Sequence, residues 1–195
     1  MSRRSPQLKF KDKRLSSQLS FGGSLMTKAK NRHARPVSSK DPMHLVLRST
    51  KAKGAHSFGN RNAAKVRTIV NTHCKRYGVK LIEYSNNFNH LHMLVKFSSR
   101  AAYLRFIRSI TGHLALAVSG ANKKKSLQSI FGAKGFWDFR PFTRVVRSWR
   151  GYRIALDYVT LNQLEALEIL PKRNGRLKDV EPGERHYFSR TRRAT

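Results

Sequence analysis

Residues 90–97 divide into two sets of alternate positions, one wholly apolar and the other more polar, and this pattern constrains the fold more than any other stretch of the sequence. The more polar set begins with two histidines, His90 and His92. The apolar set is Leu91, Met93, Val95 and Phe97. Because successive side chains of a β-strand point to opposite faces, the pattern predicts a strand with one face in a hydrophobic core. The histidines are then expected on the opposite, more polar face.

Three further segments have the patterns of strands. Residues 42–49 alternate apolar and more polar positions, which predicts a half-buried first strand. Residues 79–84 predict a second strand, and the Ser-Asn-Asn turn at 85–87 joins it to the histidine strand as a hairpin. Residues 143–147 predict a fourth strand.

Apolar residues recur at helical spacing in three segments between and after these strands. The first helix is predicted over residues 60–77, with Gly78 in place for a C-terminal cap, and the last over 151–170. The middle helix follows the potential caps Ser98 and Ser99. Its predicted buried stripe is Leu104, Ile107, Ile110, Leu114 and Val118. This order of elements predicts an α+β sandwich in which helices cover a central antiparallel sheet, as in ferredoxin-like and RRM-like folds.

Composition divides the chain into three parts. Residues 1–39 scatter Lys and Arg among Ser, Gly, Gln and Pro, which is typical of a flexible basic arm. Residues 40–170 contain the predicted strands and helices and are the expected folded domain. Residues 171–195 open on a proline and are predicted to be a second, loosely structured basic tail.

Charge indicates the kind of partner. Lys and Arg outnumber the acidic residues by 41 to 10, which gives a net charge of +31 and an isoelectric point of about 11.5. A compact chain with this excess repels itself unless a polyanion neutralises it, so nucleic acid is the expected partner. The basic residues are spread along the whole chain and no apolar run has the length of a membrane span, so no membrane partner is expected.

Cys74 is the single cysteine of the chain. One cysteine excludes an intramolecular disulfide framework and a thiolate zinc cluster. It fits a reducing compartment, and together with the basic charge it predicts a cytoplasmic, nucleoid-associated protein.

The stretch from residue 136 to 153 interleaves aromatic and basic side chains. Such interleaving can stack unpaired bases while it neutralises phosphates, although part of the aromatic set is expected to be core instead. The predicted nucleic-acid contacts are Arg140, Arg144, Arg147, Trp149, Arg150 and Arg153, with Lys123, Lys124 and Lys125 from the preceding loop.

The two histidines have two interpretations. Two imidazoles on one face of a strand can bind one divalent ion and leave positions for a third ligand, water and substrate, but they can also be packing residues. Tyr158 and Asn162 lie four residues apart on the last predicted helix and therefore share a face. A tyrosine assisted by a metal or a base is a nucleophile, and the Asn162 oxygen could bind the same ion. The alternative is that Tyr158 packs in the core and Asn162 is solvated.

Tyr152 is a second candidate nucleophile on the same helix. The residues three and four positions after it are Ala155 and Leu156, which offer a metal no ligand. Tyr158 is therefore the better candidate.

Two motifs together resemble those of the HUH single-tyrosine transposases of insertion sequences, and particularly the REP-associated tyrosine transposases. The segment NHLHMLV at residues 89–95 matches the His-hydrophobic-His strand of that family. The segment YVTLNQ at residues 158–163 is similar to its Tyr-x-x-x-Asn or Tyr-x-x-x-Gln helix motif. The resemblance covers roughly residues 40–170 and leaves both basic tails outside it.

The resemblance implies that His90, His92 and Asn162 hold Mg²⁺ or Mn²⁺, with Gln163 as the alternative third ligand. It implies further that Tyr158 attacks single-stranded or hairpin DNA, cleaves it and rejoins it through a 5′-phosphotyrosine intermediate. Whether the chain acts as a monomer or as a homodimer stays open.

Two other functions remain as alternatives. One is a domesticated, non-catalytic DNA- or RNA-binding protein on the same fold. The charge and the aromatic residues favour this protein and the enzyme equally. The other is a rolling-circle replication initiator, which would use the same histidine pair. The short chain and the lack of a P-loop argue against a large replicative initiator.

Overall fold

The computed structural model of the 195-residue chain describes residues 21–22, 36–133 and 135–170. Most of the predicted N-terminal arm and all of the predicted C-terminal tail lie outside the described residues, so the division of the chain into three parts stays a prediction. Within the described residues, no helix is both long enough and apolar enough to cross a membrane.

Five strands in the described part of the chain form one antiparallel sheet. They are β1 (Phe21–Gly22), β2 (Met43–Arg48), β3 (Lys80–Asn86), β4 (His90–Lys96) and β5 (Phe142–Val145). Their order in the sheet is β1-β5-β2-β4-β3. The histidine strand β4 therefore lies between its hairpin partner β3 and the first predicted strand β2. The predicted α+β fold with an antiparallel sheet is confirmed.

Four helices accompany the sheet in the same described ranges. They are α1 (Ala63–Arg76), α2 (Arg100–Ser119), α3 (Leu127–Phe131) and α4 (Trp149–Ala166). The side chains of Ser99 and Ser148 accept hydrogen bonds from backbone N–H groups of the first turns of α2 and α4, which explains where these helices begin. The sequence pattern predicts the last helix over 151–170, so its start is two residues late and its end four residues late. The five-residue α3 is too short to show a helical period and was not predicted.

The helices lie on both faces of the sheet. One core packs the apolar set of β4, including Leu91 and Met93, against Val70 of α1 and Phe106 of α2. Helix α4 contacts β3 and β4, and its Leu161 and Leu164 form a separate cluster with Leu170. The histidines occupy the face away from the main core, as predicted. That face is not an open surface, however, because α4 covers it and leaves His92 only 3% exposed.

Two predictions about burial are wrong. The pattern of residues 42–49 predicts a half-buried strand, but Val46 on the second face of β2 is also buried. The pattern in α2 predicts Leu104 in the buried stripe, but this side chain is 52% exposed. Tyr103 and Phe106 are buried in its place, because they continue the three- and four-residue spacing back from Ile110 and their rings bury more apolar area than a leucine.

Candidate functional site

The two predicted histidines lie side by side on the α4 face of β4. Their ring centroids are 4.8 Å apart and their planes meet at 78°. In the register of the sheet, Val46 of β2 lies opposite His92 and Arg48 lies opposite His90. The side-chain alternation predicted for this strand therefore brings both imidazoles to one place.

Both histidines engage their Nδ1 atoms and leave their Nε2 atoms for another partner. Nδ1 of His90 lies 2.6 Å from Oδ1 of Asn89. An amide oxygen only accepts, so Nδ1 carries the proton and Nε2 of His90 keeps its lone pair. Nδ1 of His92 lies 3.1 Å from Nε2 of His44, and Nε2 of His92 is buried with no hydrogen-bond partner among the described residues. Two available nitrogens, one of them buried and unpartnered, fit a pair of metal ligands.

Burial keeps these imidazoles neutral. Burial, and after it the charge of Arg48, lowers the pKa of His90 from 6.5 to about 4. Burial, followed by Arg144, lowers the pKa of His44 to about 4. The pKa of His92 is well below 6.5, chiefly because of burial and then because of His44 and His90. Metal binding requires unprotonated imidazoles, so at neutral pH a metal would displace no proton from the pair.

Tyr158 extends from α4 toward the histidines. Its ring centroid is 5.3 Å from that of His92 and 5.7 Å from that of His44, in edge-on geometry in both cases. The side chain is 47% exposed, which rules out the alternative that Tyr158 is a core residue. The phenol is therefore both close to the imidazoles and accessible from solvent.

The two candidates for a third ligand have different surroundings. Oε1 of Gln163 accepts a hydrogen bond of 2.9 Å from the backbone N–H of Asn86 and so ties α4 to β3. Oδ1 of Asn162 accepts a longer bond of 3.3 Å from the side chain of Asn87. Asn162 and His90 line the same cavity, and Gln163 is not among its lining residues. Asn162 is therefore the better placed of the two.

The residues fit a weakly held ion. Within the described residues, no three His, Cys, Asp or Glu side chains are grouped so that they could hold a metal. An ion on His90 and His92 would therefore complete its shell with the Asn162 amide oxygen, with water or with a phosphate oxygen. Magnesium prefers oxygen ligands and retained water, whereas the divalent first-row transition metals accept imidazole nitrogen more readily. Manganese is expected to bind this mixed set better than magnesium.

All nine predicted nucleic-acid contacts are exposed. Arg144 lies opposite His44 in the β2–β5 pairing, beside the histidines. Arg147 and Trp149 line a different cavity, at the start of α4, where the Trp149 ring is 73% exposed and stacks on Tyr152 at 5.4 Å. The three lysines follow α2 in a third location. Part of the aromatic stretch is core, as expected, since Phe136 is buried.

Sequence reasoning missed the hydrogen-bond partners of the histidines. Asn89 is adjacent in sequence, and its amide next to a histidine was a readable signal. His44 is 48 positions away from His92, and the sequence carries no signal for the pair, because only the register of β2 against β4 brings them together. Arg48, whose Nε is 3.9 Å from Oδ2 of Asp138, is a further cation near the histidines that was not predicted.

The described residues thus combine an α+β fold, two histidines in the middle of an antiparallel sheet and a tyrosine on a covering helix. The model of the family described as "Transposase IS200 like" matches residues 38–146. This range is more than half of the chain, and the chain belongs to the IS200-like transposase family. The resemblance to insertion-sequence transposases is thereby confirmed, and membership places the chain among proteins that act on DNA. The match includes both histidines and ends before α4.

Two solved structures align with the structure of this chain. One is a candidate transposase from Deinococcus radiodurans R1, with 13% identity, a TM-score of 0.43, and alignment over 70% of this chain and 98% of that one. The other is a REP-associated tyrosine transposase bound to a REP hairpin, with 12% identity, a TM-score of 0.46, and alignment over 72% of this chain and 74% of that one. No curated protein matches the sequence.

Proposed function

We propose that this chain cleaves and rejoins single-stranded or hairpin DNA through a covalent bond between Tyr158 and a 5′-phosphate. The observation that carries the proposal is the position of the Tyr158 ring against His92, whose Nε2 is buried and unpartnered. A hydroxyl nucleophile next to two neutral imidazoles with available lone pairs is an arrangement that can support metal-assisted phosphoryl transfer.

The reaction balances with the residues of this chain. The hydroxyl oxygen of Tyr158 attacks the phosphorus of a DNA phosphodiester, and its proton passes to solvent on the exposed side of the ring. The bond from phosphorus to the 3′-oxygen breaks, and that oxygen takes up a proton to become a 3′-hydroxyl. In the second step a 3′-hydroxyl attacks the phosphotyrosine, which restores the diester and releases Tyr158. The covalent ester conserves the energy of the first bond, so rejoining needs no nucleotide.

His90, His92 and Asn162 would hold Mg²⁺ or Mn²⁺. When bound there, the ion supplies positive charge that polarises the scissile phosphate and stabilises the leaving oxygen. Asn89 holds the His90 ring with Nε2 free, and Gln163 holds α4 on the sheet. These contacts pre-orient the ligands and the nucleophile.

The exposed basic and aromatic residues would hold the DNA. Phosphate contacts from arginine and lysine set affinity and fix the position of the strand, and they weaken as salt rises. The stacked pair Trp149 and Tyr152 offers a ring face to an unpaired base. A DNA substrate also supports the expected location at the nucleoid in the cytoplasm.

The test is formation of a covalent protein–DNA adduct. The full chain is incubated with Mn²⁺ and end-labelled hairpin and single-stranded DNAs, and products are separated under denaturing conditions. We expect an adduct with the wild type and none with Tyr158→Phe, which keeps the ring and removes the nucleophilic oxygen. Tyr152→Phe is the matched control on the same helix and should still form the adduct.

Each result has a defined meaning. An adduct that survives in Tyr158→Phe would show that the nucleophile is wrong. No adduct with any DNA, combined with salt-sensitive DNA binding by the wild type, would favour the non-catalytic DNA-binding alternative.

A further inference from the structure

His44 and His92 form an imidazole–imidazole hydrogen bond that neither the sequence motifs nor the family match explains. Nε2 of His44 lies 3.1 Å from Nδ1 of His92, the ring planes differ by 13°, and the centroids are 5.3 Å apart. A centroid separation this large for so short a contact means that the rings meet edge to edge. Edge-to-edge contact between nearly coplanar rings is hydrogen-bonding geometry.

We propose that His44 is a positioning residue, which accepts the Nδ1–H proton of His92 and so fixes His92 in the tautomer whose Nε2 lone pair faces the proposed ion. The inference deepens the proposed function and rests on it for the identity of the ion. In this role His44 acts through its hydrogen bond to His92.

The direction of the hydrogen bond follows from the other nitrogen of His92. A neutral imidazole has one N–H and one lone pair. If His44 donated to His92, Nε2 of His92 would carry the proton, and this buried N–H would have no acceptor among the described residues. If His92 donates, its Nε2 carries a lone pair instead. A buried lone pair without a hydrogen bond costs less than a buried N–H without an acceptor, and a cation can bind to it.

His90 provides the comparison inside the same site. Its Nδ1 contacts the Asn89 oxygen, which can only accept, so the tautomer of His90 is already determined. The tautomer proposed for His92 is the same one, with Nδ1–H donated and Nε2 available. Two neighbouring histidines on one strand would then present the same nitrogen atom to one ion, each held by a different acceptor.

The Tyr158 ring keeps the pair in place from the α4 side. It contacts both His44 and His92 edge-on. Burial excludes water that could otherwise replace His44 as the acceptor, since His92 is 3% exposed. His44 is therefore the partner on which the orientation of His92 depends.

The first test needs no variant. In the metal-free full chain, long-range ¹H–¹⁵N correlation spectra distinguish the two histidine tautomers. We expect the Nδ1–H form for His92. The Nε2–H form would overturn the proposal, whatever the activity of the protein.

The second test measures Mn²⁺ binding by electron paramagnetic resonance in the absence of DNA. His44→Phe removes the acceptor and should weaken Mn²⁺ binding by about 10- to 100-fold. His44→Gln can place an amide oxygen near the position of Nε2 and should recover part of the affinity. The control is His113→Phe, which removes one member of a histidine pair on the other side of the sheet and should bind Mn²⁺ as the wild type does.

The outcomes separate the two proposals. Unchanged Mn²⁺ affinity and an unchanged His92 tautomer in folded His44→Phe would overturn the role of His44 and leave the nucleophile untouched. The expected tautomer in a protein that forms no adduct would support His44 as the orienting acceptor and count against the proposed cleavage. Circular dichroism and thermal unfolding identify any variant that fails to fold, and the wild-type spectrum still decides in that case.

Discussion

The described residues contain two hydrogen-bonded histidine pairs, one on each face of the sheet. Their ring centroids are 5.3 and 5.2 Å apart, but the ring planes differ by 13° in the first pair and by 69° in the second. His44 and His92 approach to 3.1 Å under α4, and His73 and His113 approach to 2.9 Å between α1 and α2. Each pair has one buried ring nitrogen without a hydrogen-bond partner among the described residues, Nε2 of His92 and Nδ1 of His73. Hydrogen-bonded histidines with a spare nitrogen therefore do not by themselves make a reactive site.

The neighbours of the two pairs are different. A third imidazole, His90, meets His92 at 4.8 Å, and the half-exposed Tyr158 lies against both rings. The aromatic ring found beside the other pair among the described residues is that of Tyr77, whose plane is 18° from that of His73 at 6.0 Å. His113 is itself exposed. The α1–α2 pair is a contact between helices, whereas the α4 pair lies where the proposed ligands and the proposed nucleophile converge.

The largest expected effect separates the pairs directly. His92→Ala removes a proposed ligand and should reduce adduct formation by a factor on the order of 100 or more, because charge stabilisation at the phosphate is lost. His73→Ala should destabilise the fold by about 1 to 3 kcal/mol and leave the adduct yield of the folded protein unchanged. Gel quantification of the adduct and urea unfolding measure the two effects. Equal loss of adduct in both variants would show that the comparison is wrong.

A smaller effect should separate neighbours on α4. Asn162→Ala removes the proposed third ligand and should weaken Mn²⁺ binding by about tenfold, as measured by electron paramagnetic resonance. Gln163→Ala breaks the bond to the Asn86 backbone and should lower the free energy of unfolding by about 1 to 2 kcal/mol with little change in Mn²⁺ affinity. The reverse result would make Gln163 the ligand.

The smallest effect tests which face of the sheet meets DNA. Arg150→Ala with Arg153→Ala on α4 should reduce the slope of log affinity against log salt by about 2, since each lost phosphate contact changes it by about 1. Arg105→Ala with Arg108→Ala, two exposed arginines of α2, removes the same charge from the other face. Fluorescence anisotropy at several salt concentrations compares the variants. An equal reduction of the slope in both double variants would mean that DNA contacts both faces.

The fold was largely predictable because its signals are local. Alternation within β4 identified the core face, and Ser98 and Ser99 indicated the start of α2, whereas the Ser148 cap of α4 was not predicted. Leu104 was misassigned because a leucine one position from Tyr103 fits a helical stripe almost as well, and the choice depends on which side chain fills the core. The short α3 has no period to read.

The candidate site was predictable only in part, for a related reason. His90, His92, Tyr158 and Asn162 belong to two local motifs, and their spacing within a strand and a helix could be read. His44 could not, because its role depends on a strand register that joins residues 48 positions apart. Hydrogen-bond partners that orient a ligand are a property of tertiary structure.

The hydrogen bond from the Asn86 backbone to Gln163 has a consequence for how this protein can vary. It fixes the rotational phase of α4, and each residue of an α-helix turns the direction of its side chain by about 100°. A single inserted or deleted residue between Tyr158 and Gln163 would turn the phenol away from the histidines while every side chain of the site remained present. The interval between these two positions is therefore under stricter constraint than most of the residues it contains.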